Sequence, residues 1–173
     1  MDATSQITLR EAADRLDLSL DRIRQWCHRW IDPDWPGAPG HAGYLSPRNV
    51  TELLLLREAH RIGIPHAEIP RVLGELRKDK ATDPTHPENL EDTLVLTYWA
   101  GPLPAGRSER FGLLYARKNS QQSLEEAVRA ELAEHVLPLM DLSAGSGALH
   151  IIHLSQLHRE VRSTFPTVDP QDH

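Results

Sequence analysis

The reading of this chain turns on residues 7–30, ITLREAADRLDLSLDRIRQWCHRW. Thr8 stands three positions before Glu11, the spacing at which a hydroxyl and a carboxylate satisfy each other's unpaired backbone amides at a helix start. Leu9, Ala12, Ala13 and Leu16 follow at helical spacing, so a first helix is expected over about Leu9 to Leu16. Asp17 and Leu18 leave little room for a connection before Ser19, a second N-cap. Leu20, Ile23, Cys27 and Trp30 then recur at three- and four-residue steps and predict the buried stripe of a second helix. Its opposite face collects Asp21, Arg22, Gln25, His28 and Arg29, with Arg24 on the flank. Arginine and glutamine are the residue types that contact phosphates, guanine and adenine; a solvated charged face is the plain alternative.

Outward from this pair, residues 31–43 carry three prolines and three glycines, which excludes helix and suits a looped-out hairpin. Ser46-Pro47 restarts a helix with a cap and a proline in its first turn, Val50, Leu53, Leu54 and Ile62 supply its apolar side, and Gly63 closes it. A last helix, roughly His66 to Arg77, brings Ile69, Val72, Leu73 and Leu76, with Pro70 in its first turn or bending it.

Helix, tight turn, helix, wing-like loop, helix, glycine, helix is the order of the winged helix-turn-helix of MerR-type transcription regulators, which residues 7–77 resemble. Ser19 and Ile23-Arg24 match the opening of that family's second helix. In GYLSPRNVTELLLLREAHRIGIPHAEIPRVL, residues 43–73, the similar positions are Ser46, Val50, Gly63 and Glu68-Ile69. Gln25-Trp26 stand where the family has two tyrosines, and Gly43 and Leu45 stand where its wing has arginine and tyrosine. The family's long dimerisation helix is replaced by a polar stretch containing Pro84 and Pro87. The resemblance implies sequence-specific binding of double-stranded DNA through Arg22, Arg24, Gln25, His28, Arg29, Tyr44 and Arg48. The second helix would enter the major groove, with Arg22, Gln25 and Arg29 toward bases and Arg24 and Arg48 on the backbone.

The fold class expected is α+β. A mostly helical winged helix-turn-helix (1–78) is joined by a polar linker (79–91) to a small α+β module (92–166), with a disordered tail (167–173). The 173 residues suit one or two small domains. The chain contains no apolar run of membrane-spanning length, and the start Met-Asp-Ala-Thr lacks the basic-then-apolar order of a signal peptide, so a cytoplasmic protein with no membrane association is expected. Cys27, the single cysteine, excludes an internal disulfide and falls on the buried stripe, as a core residue would.

The net charge of −6 opposes nucleic-acid binding when taken whole. Residues 1–80, however, hold 12 Lys and Arg against 12 Asp and Glu, whereas residues 81–173 hold 7 against 13. The negative balance therefore lies in the second half, and a neutral first half can bind DNA through cations gathered on one face.

In that second half, residues 93–99 and 111–115 read as a hairpin. Ser123 and Glu126 start a helix carrying Leu124, Ala127, Val128, Leu132, Val136 and Leu139. Residues 149–154 read as a strand, and Ser155 to Phe165 as an amphipathic helix through Leu157, Val161 and Phe165. The order is β-β-α-β-α. Residues 144–148, AGSGA, lack the lysine of a phosphate loop and the third glycine of a dinucleotide turn, so a plain loop is expected. His150 and His153 fall on opposite faces of a strand, which disfavours a metal site with His158. Tyr98, Trp99 and Tyr115 could line an effector pocket, though aromatic residues on strands are more often core.

No nucleophile, base and oxyanion donor can be assembled, so binding rather than catalysis is expected, with no cofactor and no metal. The second half is left for self-association, for a small-molecule or protein effector, or for another partner. A homodimer through the apolar 149–154 strand and 155–165 helix is expected, because about 75 residues have difficulty covering both. The alternatives are an excisionase-like architectural DNA-binding protein, or an adaptor that acts through its acidic second half.

Overall fold

Thr8 caps the first helix as its spacing predicts. Its hydroxyl accepts from the Glu11 amide at 3.2 Å, and the Glu11 carboxylate accepts from the Thr8 amide at 2.7 Å. The Thr8 amide first, then its hydroxyl, hold the Glu11 carboxyl below the usual carboxylate range. The structure, a computed structural model, describes residues 6–31, 43–86, 89, 93–103, 109–116, 121–136 and 147–165. The loop read as a wing is largely outside these residues, as is the tail at 167–173.

Among the described residues the chain is α+β, with six α-helices and two small antiparallel sheets. Strand β1 (Ile7–Thr8) leads into α1 (Leu9–Leu16), and three residues later α2 (Leu20–Arg29) begins. The turn is tight because Asp17 takes a left-handed backbone, φ 51°, and the Leu18 amide donates back to the Ala13 carbonyl at 3.1 Å. Strand β2 (Tyr44–Leu45) pairs with β1, Ile7 opposite Leu45 and Thr8 opposite Tyr44.

Ser46 caps α3 (Pro47–Arg61) in a reciprocal box with Asn49, and Pro47 takes the first turn, where a missing amide hydrogen costs nothing. Gly63 follows at φ +81°, a left-handed conformation that a side chain would strain. Helix α4 (Ile69–Lys78) starts three residues later than expected and places Pro70 in its first turn, so the helix needs no bend.

The expected apolar side of α3 understates its burial. Val50, Thr51, Glu52, Leu53, Leu54, Leu55, Leu56 and Ala59 are all buried, so nearly its whole circumference is covered through the middle of the helix. A helix apolar all round needs neighbours on more than one side. Here Arg77 of α4 bonds Glu52, and the second half of the chain packs on the helix as well.

That second half supplies a three-stranded sheet. Strand β3 (Thr93–Ala100) is central, flanked by β4 (Phe111–Ala116) and β5 (Ala148–His153), both antiparallel to it. Helix α5 (Leu124–Glu131), capped by the Ser123–Glu126 box, ends in a π-helical turn over Leu132–Val136. Helix α6 (Leu154–Thr164) follows β5 directly. The β-β-α-β-α order agrees with the sequence pattern. Strand β3 is buried on both faces: Leu94, Leu96 and Tyr98 join the main core, and Val95 joins a smaller core with Ala116, Ala127 and Val128 under α5.

The main core is continuous from Ile7 to Phe165 and draws on both halves. Leu154, Leu157, Val161 and Phe165 of the 154–165 segment are buried in it, with α6 packed on α3. Arg57 of α3 reaches Glu160 of α6 at 3.8 Å, and the Arg71 guanidinium lies 5.1 Å from the Phe111 ring centre. The connecting stretch, polar in sequence, is packed where it is described. Ala81, Thr82 and Asn89 are buried, and the Asn89 amide donates to the carbonyls of Lys80 (2.9 Å) and Asp83 (2.8 Å). Tyr115 hydrogen-bonds Asp79, and the buried His158 donates from Nε2 to the Ala81 carbonyl at 2.7 Å.

Candidate nucleic-acid interface

Ser19 starts α2 by accepting from the Arg22 amide at 3.3 Å. Ile23, Trp26 and Cys27 are its fully buried residues, while Leu20 and Trp30, expected on the same stripe, are half-buried. The buried face is therefore centred nearer Trp26, one of the two residues that depart from the MerR-type pattern. Its indole fills core volume.

This rotation leaves Arg22, Arg24, Gln25, His28 and Arg29 exposed together on the outer face. Arg24 pairs with Asp21 at 3.3 Å, an exposed contact worth little in water. The side chains of Arg22, Gln25, His28 and Arg29 make no hydrogen bond or ion pair among the described residues. Four polar groups capable of donating thus stand along about two turns of one helix with no partner among the described residues.

Tyr44 and Arg48 are placed elsewhere. Tyr44 lies half-buried on β2, opposite Thr8. The Arg48 Nε is shared between the Thr82 hydroxyl at 3.2 Å and the Glu52 carboxylate at 3.5 Å, so part of this guanidinium fastens the connector to α3. The side chain remains half exposed.

Two residues that set the position of α2 went unnoticed in the sequence. Glu52 is 1% exposed, and its carboxylate accepts from Arg77 Nε at 2.8 Å and Nη2 at 2.6 Å. The same Nη2 donates to the Trp30 carbonyl at 2.8 Å, at the C-terminal end of α2 where carbonyls lack helical partners. One bidentate pair thereby ties α3, α4 and the end of α2. The signal was available: a single acid inside VTELLLL must face either solvent or a cation, and α3 offers little solvent.

The Cys27 thiol is pushed up to about 11 by burial, with the Glu52 charge adding to it, so it is a protonated core group. Trp30 completes the end of α2 with an edge-on contact to His66, ring centres 5.3 Å apart. Among the described residues no three His, Cys, Asp or Glu gather where they could hold a metal ion, and no helix is long and apolar enough to cross a membrane. Neither the family models nor the curated proteins compared with this chain give a match.

Proposed function

We propose that this protein is a sequence-specific DNA-binding regulator whose first half works as a MerR-like winged helix-turn-helix, with α2 as the reading helix. The observation that carries this reading is the outer face of α2, where Arg22, Gln25, His28 and Arg29 are exposed without side-chain partners among the described residues. Supporting it are the capped α1, the three-residue turn and the capped α2, and a β1–β2 pair that ties the start of α1 to the strand following the loop read as the wing.

The division of labour follows from chemistry. Arg22 and Arg29 can hold guanine edges or phosphates, and Gln25 can pair with adenine. Arg24 releases its exposed contact with Asp21 at small cost to meet a phosphate. The Arg77 bond to Trp30 fixes the axial position of the helix, because a reading helix that slides loses register with the bases. Because the first half is net neutral, with 12 Lys and Arg against 12 Asp and Glu, non-specific binding is expected to be weak.

Selection of bound sequences from random double-stranded DNA by the full-length chain tests the reading. An enriched motif of a few base pairs, lost on Arg22→Ala, supports it. Absence of any enriched motif sinks it in favour of a protein-binding adaptor.

A further inference from the structure

On the side of the sheet away from α3 there is a cavity of about 490 Å3 between β3, β5, α5 and the start of α6. This volume lies in the range of small-molecule sites. Its apolar wall comes from Leu124, Val128, Leu132 and Ile151. Two polar features have no partner among the described residues. Thr93, 2% exposed, lines the cavity, and its hydroxyl has no hydrogen-bond partner among the described residues. Arg159, on the exposed rim, makes no ion pair among the described residues, whereas the other arginine of the rim, Arg129, is held by Glu125 at 2.8 Å.

An unpaired buried hydroxyl costs stability and is rare in a finished core. A leucine-rich wall with an unpaired guanidinium at its edge is complementary to a molecule with an apolar body and one negative end. We infer that this cavity binds a small organic monocarboxylate, its chain over Val128 and Ile151, its carboxylate accepting from the Thr93 hydroxyl and balanced in charge by Arg159. The site is separate from the outer face of α2 and holds whether or not the chain binds DNA.

Octanoate is the probe, with octan-1-ol as its uncharged counterpart. Titrated into the 15N-labelled full-length chain, octanoate is expected to shift the amides of Thr93, Val128 and Ile151 saturably, with a low-millimolar Kd or tighter. Octan-1-ol should bind about tenfold more weakly, and Arg159→Gln should remove that difference. Thr93→Val, which keeps the shape and removes the unpaired hydroxyl, should leave unfolding of the free protein at the same or higher denaturant while weakening octanoate about five- to tenfold. Arg159 is exposed, so its substitution tests binding without threatening the fold. Saturation without preference for the acid, shifts confined to other residues, or no saturable shift at all overturns the inference.

Discussion

Replacing Glu52 by glutamine tests whether one buried carboxylate positions α2. The substitution keeps size and shape, removes the charge, and presents an amide N–H₂ to a guanidinium that can only donate. Arg77 then keeps at most one of its two bonds to position 52 and remains beside the Trp30 carbonyl. Breaking a fully buried pair by removing one partner costs about 3–5 kcal/mol. Here the acid is 1% exposed but the Arg77 side chain is 34% exposed and that of Arg48 49%, so water partly hydrates the orphaned cations. A loss of about 2–3 kcal/mol is therefore expected, which for a chain of this length lowers Tm by about 5–10 °C. Urea unfolding of the single and double variants measures it. Glu52→Leu combined with Arg77→Met should recover most of the loss, because two apolar side chains can replace a buried ion pair at little cost. If Glu52→Gln costs less than about 0.5 kcal/mol, the pair behaves as a surface contact and the positioning argument fails.

Other expectations follow from single residues. Arg22→Ala and Gln25→Ala should each cost about 1–3 kcal/mol at one position of a selected DNA site and relax preference there; Arg48→Ala should weaken all sequences alike and lower the salt slope, and unchanged binding curves for all three would contradict the docking. Burial lowers the His158 pKa, the bond to Ala81 and the charge of Asp83 partly oppose this, and Arg159 adds to it. The unfolded chain therefore binds this proton more readily, so the stability present above about pH 6.5 should fall as pH drops through that value, by at most about 1.4 kcal/mol per unit. That slope should vanish from urea titrations of His158→Phe. Cys27 should resist alkylation in the native chain at pH 8 and react fully in denaturant, and rapid native labelling would show that the end of α2 opens. A chain cut after Asp79 strips α6 from α3 and should lose its cooperative thermal transition, whereas a sharp transition in that fragment would show that the first half folds alone.

Local chemistry made most elements legible. The boxes at Thr8–Glu11 and Ser123–Glu126 mark helix starts through contacts three residues apart, which sequence spacing records directly. Proline in the first turn of α3 and glycine after its end work the same way. What the sequence hid depends on distant partners. Trp26 is buried where Leu20 and Trp30 are only half-buried, because the core decides which side of a wide apolar arc is filled. Arg77 comes to Glu52 from 25 positions away, and neither residue advertises the other. The outer face of α2 was legible because it needs no partner: its residues are what remains after burial takes the rest.

The run LLLL at 53–56 bears on assembly as well as on the core. An amphipathic α6 beside an apolar strand invites the expectation that a second copy covers them. In this chain α3 is apolar on the side facing them, and Leu154, Leu157, Val161 and Ile152 are buried within the same molecule. The apolar sides of α3 and α6 are complementary and pack on each other within the chain. The same contact links the side of the sheet that bears the cavity to the helix that fixes α2. Thr93 and Leu94 are neighbours on β3, one lining the cavity and the other in the main core, and the Leu94 amide donates to Ser155 at the start of α6 at 2.7 Å. Helix α6 rests on α3, and α3 carries Glu52, which holds Arg77 against the end of α2. The cavity wall and the outer face of α2 are thus joined through packed helices and hydrogen bonds.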